Sequence, residues 1–400
     1  MLREERKEEL IELTRALVSK RSESGHEAEA AGVLERYMRG RGFDRVTVDG
    51  LGSVIGMIAG NRPGPRVLFD GHLDTVPVAD PAAWTHDPYG CEIAGGRMYG
   101  RGTSDMKGAV AAFTAAAHFF AQDRNRDFPG EIYIAGTVHE ECFEGVASRS
   151  VSRIVRPDYV VIGEASQCDL KIGQRGRAEI VVETFGVPAH SANPEKGVNA
   201  VYAMCKAAEA IRQLPCPEHP VLGKGILELT DIKSAPYPGA SVVPSRCRAT
   251  YDRRLLPGET EESVLAPIQA LLERLAAEDP AFRARVSYAE GQESCCTGAS
   301  IRGRRFFPAW LYSEEDAFVQ AILSELRAMG REAAVTQYSF CTNGSHYAGE
   351  AGIPTVGLGP SREDLAHTDN EYIELEQLFL ACESDQAIMR ALLRYDMLPL

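Results

Sequence analysis

Residues 67–74 read Val67-Leu68-Phe69-Asp70-Gly71-His72-Leu73-Asp74, an apolar run passing without a break into two aspartates and a histidine. A short apolar run bounded by turn residues is the pattern of a strand buried on both faces. In open α/β sheets, ligands gather at the carboxyl ends of such strands. Two later runs repeat the pattern: Ile132–Val138 leads into His139-Glu140-Glu141, and Tyr159–Ile162 into Gly163-Glu164. A lone acid at a strand end is ordinarily a turn residue or a helix cap. Three such strand ends, with Asp105 and His367 in turns elsewhere, point instead to a single polar site.

The chain on either side of these strands supplies an α/β frame. Helices are predicted near 3–20 and 26–42, separated by the turn and capping residues Arg21-Ser22-Glu23-Ser24-Gly25. Short strands follow at Val46–Val48 and Val54–Ile58. An Ala-rich helix over Met106–Ala121 and a helix near 144–155 alternate with the buried strands, which predicts a mostly parallel sheet. Between 177 and 289 the texture changes. A strand at 177–186, a helix at 197–214, strands at 225–233 and 242–251, a helix at 258–276 and a strand at 283–289 give a β-α-β-β-α-β order, the ferredoxin-like arrangement. Helix signals return near 314–329 and 372–394, with strands at Ala334–Tyr338 and Pro354–Leu358. The expected fold is α/β: a catalytic domain on a mixed, mostly parallel sheet, formed by 1–175 and 291–400, with a ferredoxin-like α+β domain inserted at 176–290.

Composition narrows the function classes. Four hundred residues exceed what one hydrophobic core usually serves. The 43 basic and 57 acidic residues give a net charge of −14, which argues against wrapping a phosphate backbone, so no nucleic-acid partner is expected. No apolar run approaches the length of a membrane span. Met1 to Arg21 has no apolar core of the signal-peptide kind. The ten cysteines are scattered without a Cys-x-x-Cys pair, as expected for free thiols in a reducing cytoplasm. Any metal is therefore expected on histidine and carboxylate.

The candidate ligands carry chemistry in their spacing. In His72-x-Asp74 both side chains leave the same side of an extended backbone. A metal-ligating imidazole usually gives its other N–H to a carboxylate, which Asp74 is spaced to provide. Asp105 follows Gly100-Arg101-Gly102-Thr103-Ser104 and opens the Ala-rich helix, so by itself it reads equally as a helix cap. The Gly-x-Gly lacks the Lys and Ser/Thr of a phosphate loop. Glu140 and Glu141 point apart as neighbours, so one can bind a cation while the other stays free as a base; a solvated acidic corner is the alternative.

These residues also resemble a known family. Leu68-Phe69-Asp70-Gly71-His72-Leu73-Asp74-Thr75-Val76-Pro77 is similar to the first metal motif of the aminoacylase, carboxypeptidase G and succinyl-diaminopimelate desuccinylase family of metallohydrolases. Gly100 to Gly108 resembles its second motif, and Glu140-Glu141 with Gly145 its third. Gly163-Glu164 and Ala366-His367-Thr368 complete the set, and the likeness runs from about Leu10 to Leu393. The resemblance implies two zinc ions per chain, with cobalt or manganese as substitutes, bridged by Asp105 and a water. His72 and Glu164 would complete one site, Glu141 and His367 the other. Glu140 would be the general base, Asp74 the orienter of His72, and the Asp105–Met106 peptide bond would be cis. Such paired metals clamp an attacking water and a carbonyl.

The resemblance extends to the substrate. His190, in Gly186-Val187-Pro188-Ala189-His190-Ser191, matches the inserted domain's histidine, which commonly serves the partner subunit's site. Arg254 aligns with an arginine that binds a substrate carboxylate, and Asn343 and Gly344 lie in a loop whose amides contact the same end. Two departures are present: Ser241 stands where many members have Asn, and Thr342-Asn343-Gly344-Ser345 replaces a Gly-Gly-Thr-Asp type. The implied activity is hydrolysis of an amide next to a carboxylate in a small N-acyl amino acid or peptide, by a homodimer with a lid and dimerisation domain. An N-carbamoyl amidohydrolase and a non-catalytic, metal-stabilised binding or assembly protein are the alternatives. His139, His86, His118, His219, His346, Cys142 and Cys341 are read as structural.

Overall fold

The computed structural model describes residues 2–394; the expected first domain's residues 1 and 395–400 lie outside them. The described chain forms two compact units. The first comprises 2–174, Gln292–Arg302 and 311–394, and the second comprises Arg175–Gly291 and Gly303–Trp310. The chain thus enters the second unit twice, the second time in a short piece whose Phe306–Phe307 pairs with the strand Gly176–Phe185.

The first unit is α/β around a mixed, mostly parallel sheet. Its strands lie in the order Arg45–Val48, Val54–Ala59, Pro129–Thr137, Arg62–His72, Tyr159–Ile162, Thr355–Gly357, Leu170–Gln174, with Val335–Tyr338 also pairing Leu170–Gln174. Four neighbours run parallel: Pro129–Thr137, Arg62–His72, Tyr159–Ile162 and Thr355–Gly357. Their register sets His72 beside Thr137, and Asp70 beside Ile162. Three strands therefore end side by side, and the residues just beyond them share one rim.

The Ala-rich helix Lys107–Asp123 is buried on nearly every side. Alanine lets its backbone come close to the sheet, and glycine does the same from below. A Cβ at Gly71 would lie 2.7 Å from Met106 Cε and 3.1 Å from Phe113 Cε1; one at Gly163 would lie 2.9 Å from Phe113 Cε1. Burying Phe113 in that seam contributes about 1.5–3 kcal/mol. The approach brings the start of the helix, and Asp105 with it, over the strand ends. The Asp105–Met106 peptide bond is cis, as the resemblance implied.

The closing helix covers Leu375–Arg394, shorter than the expected 372–394. Tyr372–Glu374 instead pairs antiparallel with Arg97–Tyr99, which pairs with Ile93–Ala94. This small sheet was not expected, because strands of two and three residues carry no readable periodicity.

In the second unit, four strands lie in the order Ile226–Ala235, Arg246–Leu255, Gly176–Phe185, Arg283–Tyr288, all antiparallel to their neighbours. With helices Ala200–Ile211 and Glu261–Glu278 this is the ferredoxin-like order. Asn199 caps the first helix through Val201 N (2.9 Å), and Thr260 and Ser263 form a reciprocal cap on the second. Ile180, Val182, Met204, Ile211, Leu271 and Leu272 fill the unit's own core. No helix among the described residues is long and apolar enough to cross a membrane.

Candidate metal centre

The rim of the parallel strands gathers His72, Glu140, Glu141 and Glu164, and the loops over it bring Asp105 and His367. His72 is buried at its strand's end. Its Nδ1 lies 2.8 Å from the backbone carbonyl of Asp74, an acceptor only, so a ring hydrogen sits there and Nε2 is left to face the carboxylates. That Nε2 faces Asp105 Oδ1 at 3.0 Å, Glu164 Oε1 at 3.4 Å and Glu140 Oε2 at 3.8 Å. The other Asp105 oxygen, Oδ2, lies 3.2 Å from His367 Nε2, which is 3.0 Å from Glu141 Oε2. One carboxylate therefore faces two imidazoles, one with each oxygen.

The electrostatics mark a cluster short of positive charge. Burial pushes the Glu164 carboxyl up to about 7, with the Asp105 charge adding to it and His72 opposing it. Burial likewise raises Glu141, helped by the Asp105 charge. Glu140 is driven well above the usual carboxylate range by burial, against His72 and with the charges of Glu164, Glu141 and Glu144. Burial opposes charge on His72 too, but Asp105 and Glu164 outweigh it and hold the ring well above the ordinary histidine range. Hydrogen bonds to Asp105 and Glu141 push His367 up to about 10. Asp105, buried yet paired with both imidazoles, is held low.

The donor set fits divalent metal. Imidazole with carboxylate suits zinc and its neighbours. The donor atoms of His72, Glu140 and Glu164, and those of His72, Asp105 and Glu141, each lie within 4.8 Å of one another. His72 with Glu164, and His367 with Glu141, could hold one ion each, with Asp105 shared. Glu140 Oε1 is buried without a hydrogen-bond partner among the described residues.

One expected role is corrected. The Asp74 carboxylate does not orient His72: its Oδ1 lies 3.7 Å from Nδ1, and the backbone carbonyl makes that bond instead. The carboxylate accepts from Glu140 N (3.0 Å), Glu141 N (3.1 Å) and Ser24 Oγ (2.7 Å). Two residues past the strand end at Thr137, His139 has a φ of 59°, a turn in the chain just before the two glutamate amides that reach Asp74.

Four expected residues remain. His190 and Arg254 belong to the second unit. His190 is exposed, bridges to Val242, and accepts from Ala192 N on Nδ1 (3.0 Å). Arg254 Nε donates to Asp252 Oδ1 at 2.7 Å. Asn343 turns its side chain inward: Nδ2 donates to Asp70 Oδ1 (2.8 Å) and Thr137 Oγ1 (3.0 Å), and Oδ1 accepts from Gly145 N (2.8 Å). The Gly344 amide donates to Thr342 Oγ1 at 3.0 Å. Any ligand contact by Asn343 thus falls to its backbone. Sequence reasoning missed Ser24, Asp70 and Tyr347, whose hydroxyl donates to Asp70 Oδ2 at 2.9 Å; the buried-strand position of Asp70 was the available signal.

Comparison with known proteins places these motifs in a family. The family model described as peptidase family M20/M25/M40 matches residues 68–391. The uncharacterized protein YgeY of Escherichia coli strain K12 is 32% identical over 372 residues, covering 91% of this chain and 89% of that protein. Succinyl-diaminopimelate desuccinylase 2 of Ruegeria sp. strain TM1040 is 32% identical over 268 residues, covering 64% of this chain and 67% of its own. Among solved structures, aminopeptidase PepT of Bacillus cereus ATCC 10987 shares the fold with a TM-score of 0.75 at 22% identity, covering 96% of this chain and 98% of that one.

Proposed function

We propose, because the chain belongs to peptidase family M20/M25/M40, that it hydrolyses an amide bond next to a carboxylate in a small N-acyl amino acid or peptide. The chain is a metal-dependent hydrolase, and the finer reading concerns its residues and substrate. Two zinc ions are the expected occupants, on His72 with Glu164 and on His367 with Glu141, sharing Asp105. When bound they would polarise the scissile carbonyl and acidify the attacking water.

Glu140 does the proton work. The observation carrying this reading is its buried Oε1, left without a partner beside the metal-binding set. A buried carboxylate beside an acidified water is placed to take its proton, and can then deliver it to the leaving amine nitrogen. Asp74 holds the Glu140 and Glu141 amides and so aims both side chains.

The second unit acts as the lid and dimerisation domain. His190 supplies a hydrogen bond to the developing oxyanion in the partner subunit's site, and Arg254 and the 342–345 loop bind the substrate carboxylate. Ten scattered cysteines without a Cys-x-x-Cys pair fit a reducing cytoplasm.

The test is Glu140→Gln. The variant should bind two metal equivalents while turnover falls by at least about 10²–10⁴. A variant that hydrolyses at the wild-type rate removes Glu140 as the base. The substrate comes from a metal-reconstituted screen over N-acetyl, N-succinyl, N-carbamoyl and dipeptide compounds. Selective N-carbamoyl cleavage would redirect the assignment, and two bound metals with no turnover on any class would point to a binding protein.

A further inference from the structure

Four residues beyond His367, Glu371 is completely buried at the start of the small sheet. A buried carboxylate persists only where charge and hydrogen bonds compensate it. Here Oε2 accepts from Arg101 Nη1 at 2.6 Å, and Oε1 accepts from the backbone amides of Gly102 (3.0 Å), Ser104 (2.8 Å) and Asp105 (3.1 Å). The Glu371 carbonyl also accepts from Gly100 N at 2.9 Å. The loop Gly100–Asp105 is wrapped around this one side chain. Arg101 is itself buried, and its guanidinium lies 5.3 Å from the Trp84 ring.

The bonds close a ring. Asp105 N reaches Glu371, the chain runs back four residues to His367, and His367 Nε2 returns to Asp105 Oδ2 at 3.2 Å. We propose that Glu371 is a positioning residue of the metal centre, fixing the loop that presents Asp105 to the segment that carries His367. This rests on the metal-centre reading above. Glu371 touches no ligand atom; it acts by setting where the two oxygens of Asp105 point. Charge-assisted bonds of this kind are shorter and stronger than neutral ones, and partners one layer behind a metal ligand commonly govern its affinity.

A loop staple of purely structural effect offers the control. Asp49 Oδ1 also collects three backbone amides, from Leu51, Gly52 and Ser53 at 2.9 Å each, but takes no part in the cluster. Cobalt(II) titration of metal-free wild type, Glu371→Gln and Asp49→Asn, read by visible absorption beside thermal unfolding, separates the two roles. Glu371→Gln should bind cobalt about 10–100-fold more weakly, with a changed spectrum. Asp49→Asn should unfold at a lower temperature and bind cobalt as wild type does. Wild-type affinity and spectrum in Glu371→Gln overturn the proposal. If that variant does not fold, Arg101→Met decides: it leaves the amides on Oε1 and strips the cation from Oε2. A weakened affinity there supports the role, and wild-type affinity overturns it. A wild-type protein that takes up no cobalt sinks the metal-centre reading itself, and this inference with it.

Discussion

Asp74 shows how one residue can be found for one reason and used for another. Its spacing from His72 is visible in the sequence, but spacing does not say which of its oxygens does the orienting. In the fold the backbone carbonyl takes the imidazole N–H, and the carboxylate gathers Ser24 and the two glutamate amides. Asp74→Asn therefore removes one strong acceptor from the Glu140-Glu141 turn and leaves the His72 bond intact. The expected outcome is a kcat about 10–100-fold lower with metal content still near two equivalents, measured by steady-state kinetics and metal analysis on one preparation. Loss of metal with the activity would return Asp74 to the role of His72's orienter. His72, Glu141 and Glu164 were legible because each follows the end of a buried apolar run, whereas Asp105 and His367 stand in turns and were singled out through the family resemblance. Glu371 was not legible, since its acid stands in an ordinary-looking turn and its value comes from one guanidinium and three backbone amides 266 to 270 residues away in the chain.

At the scale of elements, Pro129–Thr137, Tyr159–Ile162 and Thr355–Gly357 were read almost in place, because their apolar runs stop abruptly. The equally buried Leu170–Gln174 was missed, since Lys171, Gly173 and Gln174 break its apolar pattern. Tyr372–Glu374 was absorbed into the closing helix, since a three-residue strand ahead of a helix shows no period of its own. The join between the helix Ser148–Val155 and the turn Ser345–Glu350 was equally invisible, being made by charge. Arg149 Nε and His346 Nδ1 both donate to Glu350 Oε2, at 2.9 and 2.8 Å. Burial raises the Glu350 carboxyl, but these two partners overcome it and hold it at about 2. An unfolded glutamate titrates near about 4.3, so the folded value is depressed. The bond's contribution is then fully present above that value and is lost as pH falls toward 2. Discounted for partial exposure, it is about 1–2 kcal/mol. Denaturant unfolding of wild type and Glu350→Gln at pH 6 and pH 2.5 should show a gap of that size at pH 6 that shrinks in acid. A gap independent of pH would mean that packing, not charge, makes the join.

For the whole molecule, the candidate metal centre, Asn343 and Gly344 belong to one unit and His190 and Arg254 to the other, each unit with its own core. The second unit's sheet ends in the ten-residue strand Ile226–Ala235, whose Ile226 and Ile232 are 42% and 47% exposed; Tyr202, on the helix Ala200–Ile211, is 75% exposed. A long edge strand with apolar side chains in water invites pairing with another chain, and a second copy provides the same edge by symmetry. A net charge of −14 opposes that association at low ionic strength, and salt screens the repulsion. Light scattering should therefore give a mass near twice 43.6 kDa, firmer in salt than without it, and Ile232→Lys should shift the protein toward single chains. A monomer at micromolar concentration in salt would refute the dimer. The dimer also makes the His190 assignment testable by mixing two inactive proteins. In Glu140→Gln with His190→Ala, a heterodimer restores one site that holds both groups only if His190 crosses to its partner. Activity regained on mixing supports that crossing. A dimer that regains none assigns His190 to its own chain's site.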